Sequence, residues 1–169
     1  MNESAEQIKR RAARIRVAVF DVDGVMTDGK LYLYGHGEEI KTMHVHDGLG
    51  LQRLQAAGVT VAAISGRPSP AAAARLHALG VDYIYLDSHD KQLDFEALLA
   101  ELELAPDQAA VMGDDLPDMA LMRQAGLALT VANAVQDVMD TAHWASRHNG
   151  GEGAVREACE LIIDAHNAH

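Results

Sequence analysis

The stretch VAVFDVDGVMTDG, residues 17–29, decides the fold. It opens as an unbroken apolar run rich in β-branched residues, Val17–Asp21, and then turns abruptly acidic, with Asp21, Asp23 and Gly24 in quick succession. A strand that is apolar on both faces belongs inside a parallel sheet covered by helices on both sides. Working outward, the same phrase recurs: an apolar strand, then a short polar or acidic stop, then a helical pattern. Val59–Ile64 stops at Ser65-Gly66-Arg67, Val81–Leu86 stops at Asp87-Ser88, and Ala109–Met112 stops at Gly113-Asp114-Asp115. Leu127–Val131 reads as a fifth strand of the kind.

Between these strands the apolar spacing changes to the helical period. Helices are expected over Gly48–Ala57, Ser69–Leu79, Asp90–Leu102, Asp118–Ala125, Ala134–Asp140 and Ala154–Ala165, several of them closed by a glycine. Leu31–Tyr34 and Glu39–Met43 flank Gly35-His36-Gly37 and read as a β-hairpin within residues 30–44. Residues 1–15 read as a solvated lead-in helix, and residues 148–169 as a glycine-rich segment followed by a terminal helix. Alternating strands and helices define an α/β fold, a Rossmann-like three-layer sandwich with a central parallel sheet. The whole chain, 1–169, is expected to form one domain.

Composition narrows the function. With 14 Lys and Arg against 25 Asp and Glu, the net charge is −11, unsuited to a general nucleic-acid binder. A small anionic substrate stays possible, because a metal ion or a few cations can override the global field. No apolar run is long enough to span a membrane. The N-terminus lacks the apolar core of a secretory signal. The lone cysteine, Cys159, allows no intrachain disulfide and fits a reducing, cytoplasmic setting.

In sheets of this kind ligands sit beyond the carboxyl ends of the strands. Asp21, Asp23, Asp114, Asp115 and Asp118 gather there, and crowded carboxylates call for a bound cation or raised pKa values. Oxygen donors without cysteine or clustered histidine suit Mg²⁺. Any one of these residues is also an ordinary turn former. Ser65 and the backbone N–H of Gly66 can hold phosphate oxygens, or serve only as a local cap. Lys91 opens a helix, where a cation is slightly disfavoured by the helix dipole, unless it neutralises an anion. Together the set suits phosphoryl transfer to an aspartate, with a second carboxylate two residues on as acid and base. His44 and His46 would share one face of a strand and could bind Zn²⁺, but no third ligand is evident. A response-regulator receiver uses similar parts, but its acceptor aspartate should follow a central strand, where this chain has Ser65.

FDVDGVMTDG, AAISGR, Asp90-Lys91 and VMGDDLPD resemble, in order, the four motifs of the haloacid dehalogenase superfamily. The resemblance covers about residues 17–160. It implies Asp21 as nucleophile, Asp23 as general acid and base, and Ser65, Gly66 and Lys91 around the phosphoryl group. It further implies that Asp21, Asp114 and the Asp23 backbone carbonyl hold Mg²⁺, with Asp115 and Asp118 in support. DVDGVMTDGKLY, HVHDGLG, ISGRPSP and GGEGAVREACELI are similar to a narrower family within it, the 3-deoxy-D-manno-octulosonate 8-phosphate phosphatases of lipopolysaccharide precursor synthesis. That family is capless and homotetrameric, its hairpin helps assemble the tetramer, and its glycine-rich C-terminal segment can reach a neighbouring site. Thr27, Arg67 and His46 then become candidate substrate-binding residues, Arg67 for the sugar-acid carboxylate. His46 stands where family members often carry Arg, which keeps a phosphatase for a related nonulosonate 9-phosphate as the rival reading.

The spacing agrees with a capless chain. Residues 22–64 are filled by a hairpin, a helix and a strand, and residues 92–113 by a helix and a strand. Neither interval has room for a separate lid domain of about 50 residues. Shielding the site from water would fall to a neighbouring subunit or to a large substrate.

Overall fold

The computed structural model describes residues 4–168. The first three residues of the expected lead-in helix and the last residue of the C-terminal segment lie outside them. Six parallel strands form the central sheet: β1 (Val17–Phe20), β4 (Thr60–Ser65), β5 (Tyr83–Leu86), β6 (Ala109–Gly113), β7 (Leu127–Thr130) and β8 (Trp144–Ala145). Their order across the sheet is β5-β4-β1-β6-β7-β8. β1 is thus central, with Phe20 beside Ala63 of β4 on one side and Met112 of β6 on the other. The chain runs from β1 toward one edge and later returns to build the other. The end of β1 is therefore the point where such folds open a crevice.

Alternate residues of each strand feed two cores. Ala18, Phe20, Ala63 and Met112 pack on one face against α1 (Ala5–Ala12), α2 (Val45–Ala56), α3 (Pro70–Ala78) and α7 (Ala154–Asn167). Val19, Ile64 and Val111 pack on the other against α4 (Lys91–Glu101), α5 (Met119–Gln124) and α6 (Gln136–Thr141). The three-layer sandwich is the one read from the sequence. The hairpin β2 (Tyr32–Tyr34) and β3 (Glu38–Ile40) stands apart from the sheet, pairing Tyr32 with Ile40. Its second strand stops at Ile40, short of the expected Met43.

Four details differ from the sequence reading. First, α2 begins at Val45, and His44 caps it, its Nδ1 accepting the His46 N–H at 3.2 Å. His44 and His46 therefore do not lie on a strand, and their rings meet edge-on at 4.8 Å. The helix expected over Gly48–Ala57 thus starts three residues earlier, and its Gly48 and Gly50 sit where it packs closely. A Cβ at Gly50 would come within 3.0 Å of the Arg156 backbone in α7.

Second, α1 is solvated on one face only. Ser4 and Gln7 cap it reciprocally, while Ile8 and Ala12 are buried. Third, β8 has only two residues and carries no sequence signal of its own. Fourth, the C-terminal segment is no detachable tail. α7 buries Val155, Ala158, Cys159 and Ile162 in the core. The glycines before it dock on the chain's own β1 loop, where Gly151 N–H donates to Val25 C=O at 3.0 Å.

Candidate active site

The loop after β1 carries the first two acidic residues. The Asp21 N–H stays in the sheet, donating to Met112 C=O at 3.0 Å. Beyond it Val22–Met26 forms a wide turn, closed by the Thr27 N–H on Val22 C=O at 3.0 Å. Gly24 sits in this turn at φ +98, a conformation L side chains rarely adopt. The buried Thr27 hydroxyl accepts from the N–H groups of Gly24 at 3.1 Å and Gly29 at 3.2 Å. Gly150 packs behind this turn, where a Cβ would fall 1.7 Å from the Gly24 carbonyl oxygen. Asn133 Oδ1 accepts the Gly150 N–H at 3.0 Å and fixes that contact.

Lys91 reaches the cleft from the first turn of α4, behind its Asp90 cap. Its Nζ donates to Asp21 Oδ1 at 2.6 Å and to Asp118 Oδ1 at 2.7 Å. The other oxygen of Asp118 accepts the N–H groups of Asp114 at 3.0 Å and Asp115 at 3.3 Å. Asp118 thus ties Lys91 to the loop after β6. Gly113 permits this, since a Cβ there would lie 2.3 Å from the Asp118 Cβ. Asp115 turns away to accept the Leu116 N–H at 2.8 Å. The buried Ser65 ends β4, its hydroxyl accepting the Arg67 N–H at 3.4 Å.

These strand ends meet in one cleft of about 350 Å³, lined by Asp21, Asp23, Ser65, Gly66, Arg67, Lys91, Asp114, Asp115 and Asp118, with Gly29 and Pro117. All but two of the expected site residues line it. Thr27 lies beneath, with its hydroxyl accepting from the loop backbone. His46 is exposed on the first turn of α2 and does not line the cleft. Two residues the sequence reading missed, Lys41 and Glu39, contact residues of the cleft without lining it. Lys41 Nζ pairs with Asp23 Oδ1 and, at 3.0 Å, with Glu39 Oε1. Glu39 Oε2 in turn accepts from the Arg67 guanidinium at 2.7 Å. Nothing in the local sequence marks Glu39 or Lys41 as more than charged residues at a hairpin's end.

The electrostatics favour a cation. Burial, then the neighbouring Asp118, raises Asp21 to about 7 despite the opposing Lys91. Burial, then Asp118 and Asp115, raises Asp114 to about 7. Burial pulls Lys91 down, but Asp21 and Asp118 outweigh it and hold the ammonium above its ordinary value. One oxygen each of Asp21, Asp114 and Asp118 lies within 4.8 Å of the others. Hard oxygens, raised carboxylates and no sulfur or imidazole fit a magnesium-type ion. The turn leaves it space, since a Cβ at Gly24 would press within 2.1 Å of Asp114 Oδ2.

A parallel sheet with this cleft at its switch point defines a hydrolase of the haloacid dehalogenase-like class, and a family model of that description matches residues 44–126. A relative from Yersinia pestis, a 3-deoxy-D-manno-octulosonate 8-phosphate phosphatase, is 42% identical over 94% of this chain and 85% of its own length. The chain belongs to the family of 3-deoxy-D-manno-octulosonate 8-phosphate phosphatases. Two crystal structures are similar along nearly their whole length. A probable YrbI family phosphatase from Pseudomonas syringae has a TM-score of 0.94 and 46% identity, covering 95% of this chain and 92% of that one. The Moraxella catarrhalis phosphatase, in complex with magnesium, phosphate and KDO, has a TM-score of 0.93 and 36% identity, covering 96% and 93%.

Proposed function

We propose that this chain is a Mg²⁺-dependent phosphomonoesterase that converts 3-deoxy-D-manno-octulosonate 8-phosphate to the free sugar acid and phosphate, in the cytoplasm, for lipopolysaccharide precursor synthesis. The observation that carries the reading is the Lys91 bridge between Asp21 and Asp118 at the end of β1, with Asp114 and Ser65 in the same cleft.

The geometry suggests how each residue acts. Lys91 holds Asp21 Oδ1, which orients the carboxylate toward the incoming phosphorus. Ser65 Oγ and the Gly66 N–H bind phosphoryl oxygens. An Asp21 oxygen attacks phosphorus and the bond from phosphorus to the sugar oxygen breaks. Asp23 gives its proton to that oxygen, so the sugar leaves as an alcohol and Asp21 carries the phosphoryl group. Asp23 then takes a proton from water as the water oxygen attacks phosphorus, which releases phosphate and restores Asp21. Bound Mg²⁺, held by Asp21, Asp114 and the Asp23 backbone carbonyl, neutralises charge on the phosphoryl oxygens. Asp115 and Asp118 support that arrangement, and Arg67, half-exposed and paired with Glu39, would take the sugar-acid carboxylate.

Assembly is the second part of the proposal. Leu33, Tyr34 and Ile40 of the hairpin are 73%, 68% and 58% exposed, with Val45 and Leu49 of α2 exposed close by in the chain. Apolar groups gathered in this way mark an interface. A homotetramer built on the hairpin would cover them and wall an otherwise open cleft. His46, among these exposed residues, then faces a neighbouring subunit. As it does not line its own chain's cleft, it would meet substrate only across a subunit interface, and a related nonulosonate 9-phosphate stays the rival substrate.

The test is a panel of phosphorylated sugar acids assayed with and without Mg²⁺, alongside light scattering. The reading expects the highest kcat/KM for the eight-carbon acid, no turnover in chelator and a tetramer. Preference for a nine-carbon acid, or full turnover in chelator, contradicts it.

A further inference from the structure

Asp23 is reached by a cation that no motif supplies. Lys41 follows β3 directly and belongs to the hairpin, yet its side chain is only 5% exposed. Its ammonium lies between Asp23 Oδ1 and Glu39 Oε1. Glu39 is held below the ordinary carboxylate range, first by Lys41 and then by Arg67, so it remains charged and offsets Lys41. Arg67 Nε stands 3.9 Å from the second Asp23 oxygen. That oxygen, Oδ2, is buried and accepts no hydrogen bond. A buried carboxylate oxygen without a partner is costly unless it has work to do.

We infer that Lys41 is a positioning residue for the acid and base of the reaction: by pinning Asp23 Oδ1 it fixes the carboxyl rotamer and leaves Oδ2 as the oxygen that gives and takes the proton. The inference rests on the role proposed for Asp23 above. Lys41 touches neither substrate nor metal ligand side chains in this account; it acts through Asp23. Glu39 holds Lys41 in turn, and Arg67 holds Glu39. Because Glu39 lies in β3, the hairpin that carries the exposed apolar residues also sets the geometry of the proton-transfer step.

Leaving-group dependence tests this, because a good leaving group departs without protonation and a poor one does not. Lys41→Met, Lys41→Arg and the double variant Lys41→Met with Glu39→Gln are compared on p-nitrophenyl phosphate and a simple alkyl phosphate, neither of which carries a sugar acid. Asp23→Asn runs in parallel, and melting temperatures in Mg²⁺ confirm folding. In Lys41→Met we expect turnover of the alkyl ester to fall about 100-fold, the lower end of what proton transfer is worth. With p-nitrophenyl phosphate we expect a burst near one nitrophenolate per subunit, followed by slow turnover, since phosphorylation of Asp21 no longer waits for a proton but its hydrolysis does. Lys41→Arg should recover part of the alkyl-ester rate. The double variant, which leaves no unpaired Glu39 charge, should show the same split if Lys41→Met does not fold.

Equal losses on both esters without a burst would mean a structural lesion and overturn the inference. So would a change in KM alone, or wild-type rates. If Asp23→Asn itself shows no loss and no burst, the role given to Asp23 fails instead. If Asp23→Asn shows both and the Lys41 variants show neither, only the role of Lys41 fails.

Discussion

Gly24 and Asp114 lie on loops that follow two neighbouring strands, and a Cβ on Gly24 would stand 2.1 Å from Asp114 Oδ2. The glycine serves two ends there. Its φ of +98 makes the turn after Asp21, and its bare Cα leaves the Asp114 carboxylate its place. Gly24→Ala should strain the turn and displace that carboxylate. The expected result is a loss of stability of roughly 1–3 kcal/mol, as for strain at a special backbone position, and a sharply raised Mg²⁺ requirement. Chemical denaturation and a Mg²⁺ titration of activity check the two parts. A variant with wild-type Mg²⁺ dependence would show that the close approach does not matter.

Lys91 is largely buried between Asp21 and Asp118, its side chain 11% exposed, so removing it leaves two carboxylates facing each other. Breaking such a buried pair costs about 3–5 kcal/mol. Lys91→Met should therefore unfold more readily and lose turnover even at saturating Mg²⁺. Asp118→Asn should be milder, because the amide oxygen can still accept the Asp114 and Asp115 N–H groups that Asp118 Oδ2 now accepts. Melting curves and kcat for both variants decide the order.

Much of this site was legible because its residues fall at strand ends, where the sequence itself breaks from apolar to acidic. The strands were legible for the same reason, and so were the helices between them. What could not be read are contacts between distant segments. Lys41 meets Asp23 only because the hairpin folds back over the β1 loop. Gly150 falls in the glycine-rich segment before the terminal helix, but it packs against the Gly24 carbonyl, and no local pattern announces that. His44 and His46 were read as strand because the helix was expected to open only at Gly48, with Gly50 in its first turn. Those glycines reflect close packing on α3 and α7, a tertiary demand that overrides helix propensity.

The carboxylates give a pH signature. Asp21 and Asp114 are raised from 3.8 to about 7, chiefly by burial. Folded-state pKa values above the unfolded ones add stability in full below the unfolded value, and that stability is lost as pH rises through the folded value. Between pH 3.8 and about 7 the metal-free protein should therefore lose stability as pH rises. Mg²⁺ competes with those protons and binds the folded chain, so its stabilisation should grow over the same range. Differential scanning calorimetry with and without saturating Mg²⁺ at several pH values checks this. A gain in Tm that stays constant across the range contradicts it.

Asp47 explains the aspartate of the HVHDGLG segment. It is buried in the first turn of α2, and its Oδ1 accepts the Arg156 N–H at 2.8 Å. It thus caps α7, whose own N-cap, Gly153, has no side chain to offer. Asp47→Ala should destabilise the protein by about 1–2 kcal/mol, in the range of a lost helix cap. Asp47→Asn keeps an acceptor and should stay close to wild type. Urea denaturation of the two variants separates them, and equal losses would show that the cap is not the reason.

The central claim is that Asp21 forms the covalent bond to phosphorus. Its most direct test is turnover of 3-deoxy-D-manno-octulosonate 8-phosphate by Asp21→Asn at saturating Mg²⁺, with folding confirmed by the melting transition. The account predicts a folded protein whose kcat is lower by roughly 10⁴-fold or more, the scale on which losing a nucleophile acts. A folded Asp21→Asn that retains turnover within about tenfold of the unsubstituted enzyme would contradict it.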